Sequence, residues 1–318
     1  MLALLAVMLA TWGWESYWRG VGFRPDFLDD ARLWAHERGR ASSGNPDTII
    51  LLGSSKLQAA VDLDVFAATA GGAKPIQLAL TGSSPLPILE DLAADDRFVG
   101  IGVAELSPLG FFDSSGSSED LPREMLAHYR AFRAGPFHRL EHRLSSLVQR
   151  HAVFRVSLLS PRHVLGEALR GGRPAVNPLR VGSDRSIQFQ FDERTRVPAA
   201  VGLSALGRAP IATGAEADAT IERLSAAAKT IRRRGGEVAL VFFDCQGPYR
   251  EEIQGRYPLR QYWQRAVDHS RSIPLDLAIR PELQALGCPD GVHLAASERA
   301  TFTRSLAEML EAELAPRR

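Results

Sequence analysis

Ile49-Ile50-Leu51-Leu52 runs straight into Gly53-Ser54-Ser55, and further aliphatic runs in the chain also stop abruptly at glycine or hydroxyl residues. The runs span 48–52, 75–80 (PIQLAL), 98–106 (FVGIGVAEL), 237–244 (EVALVFFD) and 273–279. The first is continuous rather than alternating, the pattern of a strand buried on both faces. Between the runs lie stretches with helical spacing, predicted over 25–40, 62–70, from Ser84-Pro85 through Leu92, 215–234 and 297–314. Thr213 and Glu216 have the spacing of a capping box before the fourth of these. Pro274 suits an edge strand, because proline cannot donate to a ladder. Strands alternating with helices require a largely parallel sheet covered on both sides. The expected fold is therefore α/β, a three-layer sandwich on a mostly parallel five-stranded sheet. In such sheets ligands bind beyond the carboxyl ends of the strands. Gly53-Ser54-Ser55, Thr81-Gly82-Ser83 and Cys245-Gln246-Gly247 all stand at such ends.

The 318 residues, 45% hydrophobic and 24% charged, suffice for one large domain with a sizeable core. A net charge of +1 leaves no chain-wide electrostatic footprint for nucleic acid, which is not expected as a partner. Met1 to Trp14 carries no charge but is shorter than the roughly 20 residues that span a bilayer. Tyr17 and Trp18 behind it suit an interfacial aromatic belt. Residues 1–18 read as a membrane anchor or signal-anchor remnant, the alternative being a buried N-terminal helix. The first reading places the remainder, 19–318, outside the cytoplasm at the membrane, in the periplasm or at the cell surface. Residues 113–210 break the strand–helix alternation and read as an insertion, helical at first and then loop-rich.

A serine hydroxyl becomes a useful nucleophile when a histidine takes its proton and a carboxylate orients that histidine. Ser55 stands at the end of the first strand, and Asp290 and His293 stand three apart just before the last helix. In this order the chain resembles the SGNH, or GDSL, hydrolase superfamily, in particular membrane-anchored members that carry GSS. Gly53-Ser54-Ser55 matches the first block with serine in place of aspartate. Gly82 matches the glycine after the second strand, and Asp290-x-x-His293 matches the last block. The resemblance extends over most of the chain from Asp47 onward, 113–210 excepted. It implies that Ser55 is the nucleophile, His293 the general base and Asp290 its orienting acid. It also implies an oxyanion hole from the backbone N–H groups of Ser55 and Gly82, with no metal and no cofactor. The activity it implies is that of a serine esterase or O-acyltransferase, acting on acyl esters of cell-envelope polysaccharide.

The resemblance has one gap. The family's third block carries an asparagine after the third strand, whereas this chain has Ala104-Glu105-Leu106-Ser107-Pro108 there. That substitution keeps a second reading open: a catalytically weak or inactive envelope protein that binds glycan or a membrane acyltransferase partner. A third reading, a thioester or lipid hydrolase, requires a deep apolar groove. His138-Arg139-Leu140-Glu141-His142 fits a zinc-peptidase H-x-x-E-H pattern, but arginines crowd it and a solvated helix surface is the better reading. The basic set Arg139, Arg143, Arg150, Arg155, Arg162 and Arg170 reads as a solvated face, with anionic glycan or lipid headgroups as the alternative. Cys245 and Cys288 are the only cysteines; they either pair, in an oxidising compartment, or stay as buried thiols.

Overall fold

Ile49, Ile50, Leu51 and Leu52 are all buried, as an aliphatic run must be when both of its faces meet apolar layers. They form β1 (Ile49–Leu52), the second strand of a five-stranded sheet. The others are β2 (Ile76–Gln77), β3 (Ile101–Glu105), β6 (Glu237–Phe242) and β7 (Ile273–Asp276); β4 (Leu179–Val181) and β5 (Ile187–Phe189) form a separate antiparallel hairpin. The order is β2-β1-β3-β6-β7 and every pairing is parallel. The computed structural model describes residues 2–72, 74–176, 179–189, 210–244, 248–258, 260–284 and 286–317.

The helices, in chain order, are α1 (Leu2–Val21), α2 (Ala31–Arg40), α3 (Ser55–Ala60), α4 (Leu63–Thr69), α5 (Leu86–Ala94), α6 (Pro108–Phe111) and α7 (Asp120–Ala134). Then follow α8 (Pro136–His151), α9 (Pro161–Leu169), α10 (Ala215–Arg233), α11 (Pro248–Arg256), α12 (Arg265–Ser270), α13 (Pro281–Gln284) and α14 (Arg299–Leu314). Side chains alternate across each strand, so the sheet has two cores. Ile50, Leu52, Ala104, Val238 and Leu240 pack under α2, α5, α10 and α12. Leu51, Val103, Ala239, Val241 and Leu275 pack under α3, α4 and α14. The three-layer α/β sandwich expected from the sequence is the observed fold, with a sheet that is parallel throughout. Pro274 does lie on an edge strand.

The local differences have physical causes. The predicted helix over 25–40 begins only at Ala31. Its entry is set by Asp30, whose carboxylate accepts the N–H groups of Arg32 and Leu33, both at 3.0 Å. The residues before it are recruited by the hairpin: Phe27 N–H donates to the Val181 carbonyl and Val181 N–H to Asp26 Oδ1. The capping box at Thr213 does not form. Gly214 is the N-cap, at φ +52°, and makes no side-chain cap.

The two ends of the segment 113–210 lie side by side. Asp113 bridges Ile211, and Ala212 N–H donates to the Phe112 carbonyl at 2.8 Å. Among the described residues the segment holds α7, α8, α9 and the β4–β5 hairpin. No helix of the described residues is long and apolar enough to cross a membrane.

Candidate active site

The chain moves from β1 to one neighbour, β2, and then returns to the other, β3. A parallel sheet opens a crevice at such a reversal, beyond the carboxyl ends of its strands. The GSS turn lies at the end of β1, facing that crevice.

The two serines have different partners. Ser54 is the N-cap of α3: its Oγ accepts Lys56 N–H at 3.2 Å and donates to Glu105 Oε2 at 2.9 Å. Ser54 N–H donates to the same carboxylate oxygen at 2.8 Å. Ser55 faces the other way, with its Oγ 2.9 Å from His293 Nε2. The strand therefore ends in one structural hydroxyl and one exposed to a base.

His293 is itself held. Its Nδ1 lies 2.7 Å from Asp290 Oδ2, while Asp290 Oδ1 accepts the N–H groups of His293 and Val292 at 2.7 and 2.9 Å. The three-residue spacing lets one carboxylate orient the ring and fasten the loop that carries it. Burial pushes the Asp290 carboxyl up, but the His293 ring and the two backbone N–H groups outweigh it and hold its pKa below the ordinary carboxylate value. Asp290 is thus an anion at neutral pH, and the Nδ1 proton is held facing it. That tautomer leaves Nε2 as the acceptor for the Ser55 proton.

Glu105, at the end of β3, was not among the residues expected to matter. It is 1% exposed and sits beneath the GSS turn. A Cβ on Gly53 would lie 2.6 Å from Glu105 Cβ and 2.7 Å from Oε2, at φ +158°, so only glycine admits this carboxylate. Lys56, 5% exposed, anchors the far side: its Nζ is 2.5 Å from Asp244 Oδ1 and 2.9 Å from the Phe243 carbonyl, past the end of β6. Both had a legible signal, since a charge inside an aliphatic strand or beside an Ala-rich helix start must be paired when buried.

Ser54, Ser55, Gly82, Ser83, Ser107 and Ser118 line one cleft of about 470 Å³, with Leu109, Pro210 and Val292 as its apolar members. Gly82 is at φ +65°, a conformation open to glycine, in the turn after β2. Among the described residues, the Ser55 and Gly82 N–H groups donate to no protein acceptor. Ser107 stands where the resembled family has its asparagine region, is the N-cap position of α6, and makes no side-chain cap. The cleft rim is built on Asp113, which accepts bonds from Ser115 N–H and Oγ, Ser117 Oγ and Ser118 N–H.

Other expectations meet the structure as follows. His142 turns inward and stacks on His36, with ring centroids 4.2 Å apart; the side chain of His138 lies outside the described residues. Among the described residues no three metal-ligating side chains converge. Cys288 is disulfide-bonded, while Cys245 and the rest of the Cys245-Gln246-Gly247 strand end lie outside the described residues. Set beside known proteins, the chain matches no family model and no curated sequence.

Proposed function

We propose that this chain is a serine-dependent ester hydrolase or O-acyltransferase, working outside the cytoplasm at the membrane on acyl esters of cell-envelope polysaccharide. The observation that carries the chemistry is the Ser55–His293–Asp290 relay, closed at 2.9 and 2.7 Å, at the mouth of a cleft that also holds Gly82.

In this reading Ser55 Oγ attacks the ester carbonyl carbon as its proton passes to His293 Nε2. The imidazolium is stabilised by Asp290, and the tetrahedral oxyanion by the N–H groups of Ser55 and Gly82. The intermediate collapses as His293 returns the proton to the departing alcohol oxygen, leaving an acyl-serine. A water or sugar hydroxyl then gives its proton to His293 as it attacks the acyl carbon, and His293 returns that proton to the departing Ser55 Oγ, which regenerates the free serine. Water makes the reaction a deacylation, and a sugar hydroxyl makes it a transfer. Ser107 Oγ serves as the third oxyanion donor in place of the asparagine.

The lining favours a short acyl group on a hydroxyl-rich acceptor. Serines and glycines dominate it, with no aromatic side chain among the described lining residues. That argues against the thioester or lipid hydrolase reading, which needs a long apolar groove. The missing third-block asparagine favours the other alternative, an envelope protein that binds glycan or a membrane acyltransferase partner with little turnover. Fluorophosphonate labelling decides between them. The parent is expected to label, and Ser55→Ala and His293→Ala to remain unlabelled while folded. No labelling of the folded parent would support the binding protein.

A further inference from the structure

Helix α8 is amphipathic in the wrong sense for a helix of a protein surface. Its inward face is polar: His142 stacks on His36, and Gln149 Oε1 accepts the Leu28 N–H at 2.7 Å. Its outward face is apolar, with Phe137 82% exposed and Leu140, Leu144 and Leu147 all exposed. Steps of three, four and three residues place these four side chains in one stripe. Phe154 continues it beyond the helix, and Leu165 and Leu169 are exposed on α9. Contiguous apolar surface of this kind marks an interaction site.

We infer that the outward face of α8 lies flat in the interface of an anionic bilayer, as a second membrane contact beside α1. Two observations select lipid as the occupant. The first is charge: Arg143, Arg150, Arg155 and Arg162 are exposed and follow the stripe. Cations beside an apolar stripe match anionic headgroups over a hydrocarbon layer. A second copy docked through the same face would bring like charges together.

The second is continuity with α1. Glu15 accepts the N–H groups of Val153 and Phe154 at 2.8 and 3.1 Å, and Arg19 donates to the His151 carbonyl at 2.7 Å. Trp18 and Phe23 pack with Val153, Val156 and Leu159 beneath. The end of α8 is thus fastened to α1, whose Leu4, Leu5, Val7, Met8 and Leu9 are exposed around its circumference. Residues 2–13 of α1 carry no charge and are uncovered by protein, and an apolar helical surface of that kind belongs in lipid. Trp12 and Tyr17, both exposed, supply amphipathic rings at the junction.

The attachment also orients the cleft. Asp29, between α1 and α2, binds Arg185, whose guanidinium donates to the carbonyls of Gln77, the last residue of β2, and of Ala79 just beyond it. That is the end of the sheet from which Gly82 reaches the cleft. The inference rests on the N-terminal membrane attachment proposed above, so the test separates the two.

A nitrobenzoxadiazole probe is attached to the full chain at Leu144→Cys, with α1 intact, and at Lys229→Cys on α10 as control. Vesicles are pure phosphatidylcholine or contain ~30% phosphatidylglycerol, and flotation reports binding independently. The Leu144 probe should brighten several-fold on the anionic vesicles and be quenched by spin-labelled lipid, while the Lys229 probe does neither. Arg143→Gln with Arg150→Gln should weaken binding about 30-fold, near ~1 kcal/mol for each arginine at an anionic surface. Flotation with an unchanged Leu144 probe overturns the α8 contact and leaves N-terminal attachment standing. Absence of flotation removes both. Brightening without lipid that tracks a dimer in light scattering overturns the bilayer in favour of a second copy.

Discussion

Removing the Glu105 carboxylate tests whether the Ser55 hydroxyl is positioned from below. Glu105→Ala leaves the Ser54 N–H and Oγ, both bonded to Oε2 at 2.8 and 2.9 Å, without their acceptor in a site 8% exposed. A buried donor left unpaired costs ~1–3 kcal/mol, so two cost roughly 2–6 kcal/mol. With a urea m-value of ~3 kcal/mol/M for a chain of this size, the unfolding midpoint should fall by roughly 0.7–2 M. Glu105→Gln keeps an oxygen at the same place and loses only charge assistance, a cost of ~1 kcal/mol. The assays are urea unfolding by circular dichroism and the rate of fluorophosphonate labelling. Glu105→Ala should lose stability and label slowly even while folded, because the GSS turn that aims Ser55 has lost its support. Glu105→Gln should label at near the parent rate. A Glu105→Ala protein with the parent midpoint and labelling rate would refute the reasoning. So would a glutamine variant as damaged as the alanine one.

Gly53→Ala should be at least as harmful to stability, since its Cβ would overlap Glu105; an unchanged unfolding midpoint would contradict the packing. Ser107→Ala should leave stability unchanged, because the hydroxyl caps nothing, and lower kcat for a chromogenic short-chain ester by ~10²-fold if it is an oxyanion donor. Asp290→Asn should reduce the labelling rate by ~10³–10⁴-fold with the fold intact, the outcome expected when the imidazole loses its orienting anion. Acid should loosen the seat of α8. Burial, then the charge of His142, lowers the His36 pKa to about 4, and burial also lowers that of His142. An unfolded chain binds these protons near 6.5, so the pair's contribution to stability is present above that pH and declines as pH falls toward 4. His36 is buried on one side only, and the solvent on its other side screens part of the effect. His36→Gln should flatten the urea midpoint between pH 6.5 and 4.5, and an unaltered slope would exclude the pair as its source.

Much of this molecule is written locally. Four consecutive aliphatics closed off by Gly53 read as a strand covered on both faces, because the run is too short for a buried helix and leaves no polar position for solvent. The same logic makes β3 and β6 legible, and with intervening helices it dictates a parallel sheet. Ser55 and the Asp290–His293 pair could be singled out because each follows or precedes a recognisable element, and Asp-x-x-His spacing is short enough for one loop to serve both. Helix entries were less legible. The segment before α2 has helical spacing, yet the hairpin 155 residues away takes its Phe27 N–H and Asp26 carboxylate. Thr213 has the chemistry of a cap, but Gly214 takes the position.

Other features depended on groups far apart in the chain. Nothing near Gly53 announces that a carboxylate from β3 will lie under it, or that this carboxylate will divide the two serines into a cap and a free hydroxyl. Composition alone reads α8 as an ordinary solvated helix. Only its packing shows that His142 and Gln149 took the inward face, leaving the leucines outside. Strand and helix periods are set by the backbone and are visible in a few residues. Which face is buried, and which hydroxyl meets the histidine, is set by partners that only the folded chain brings together.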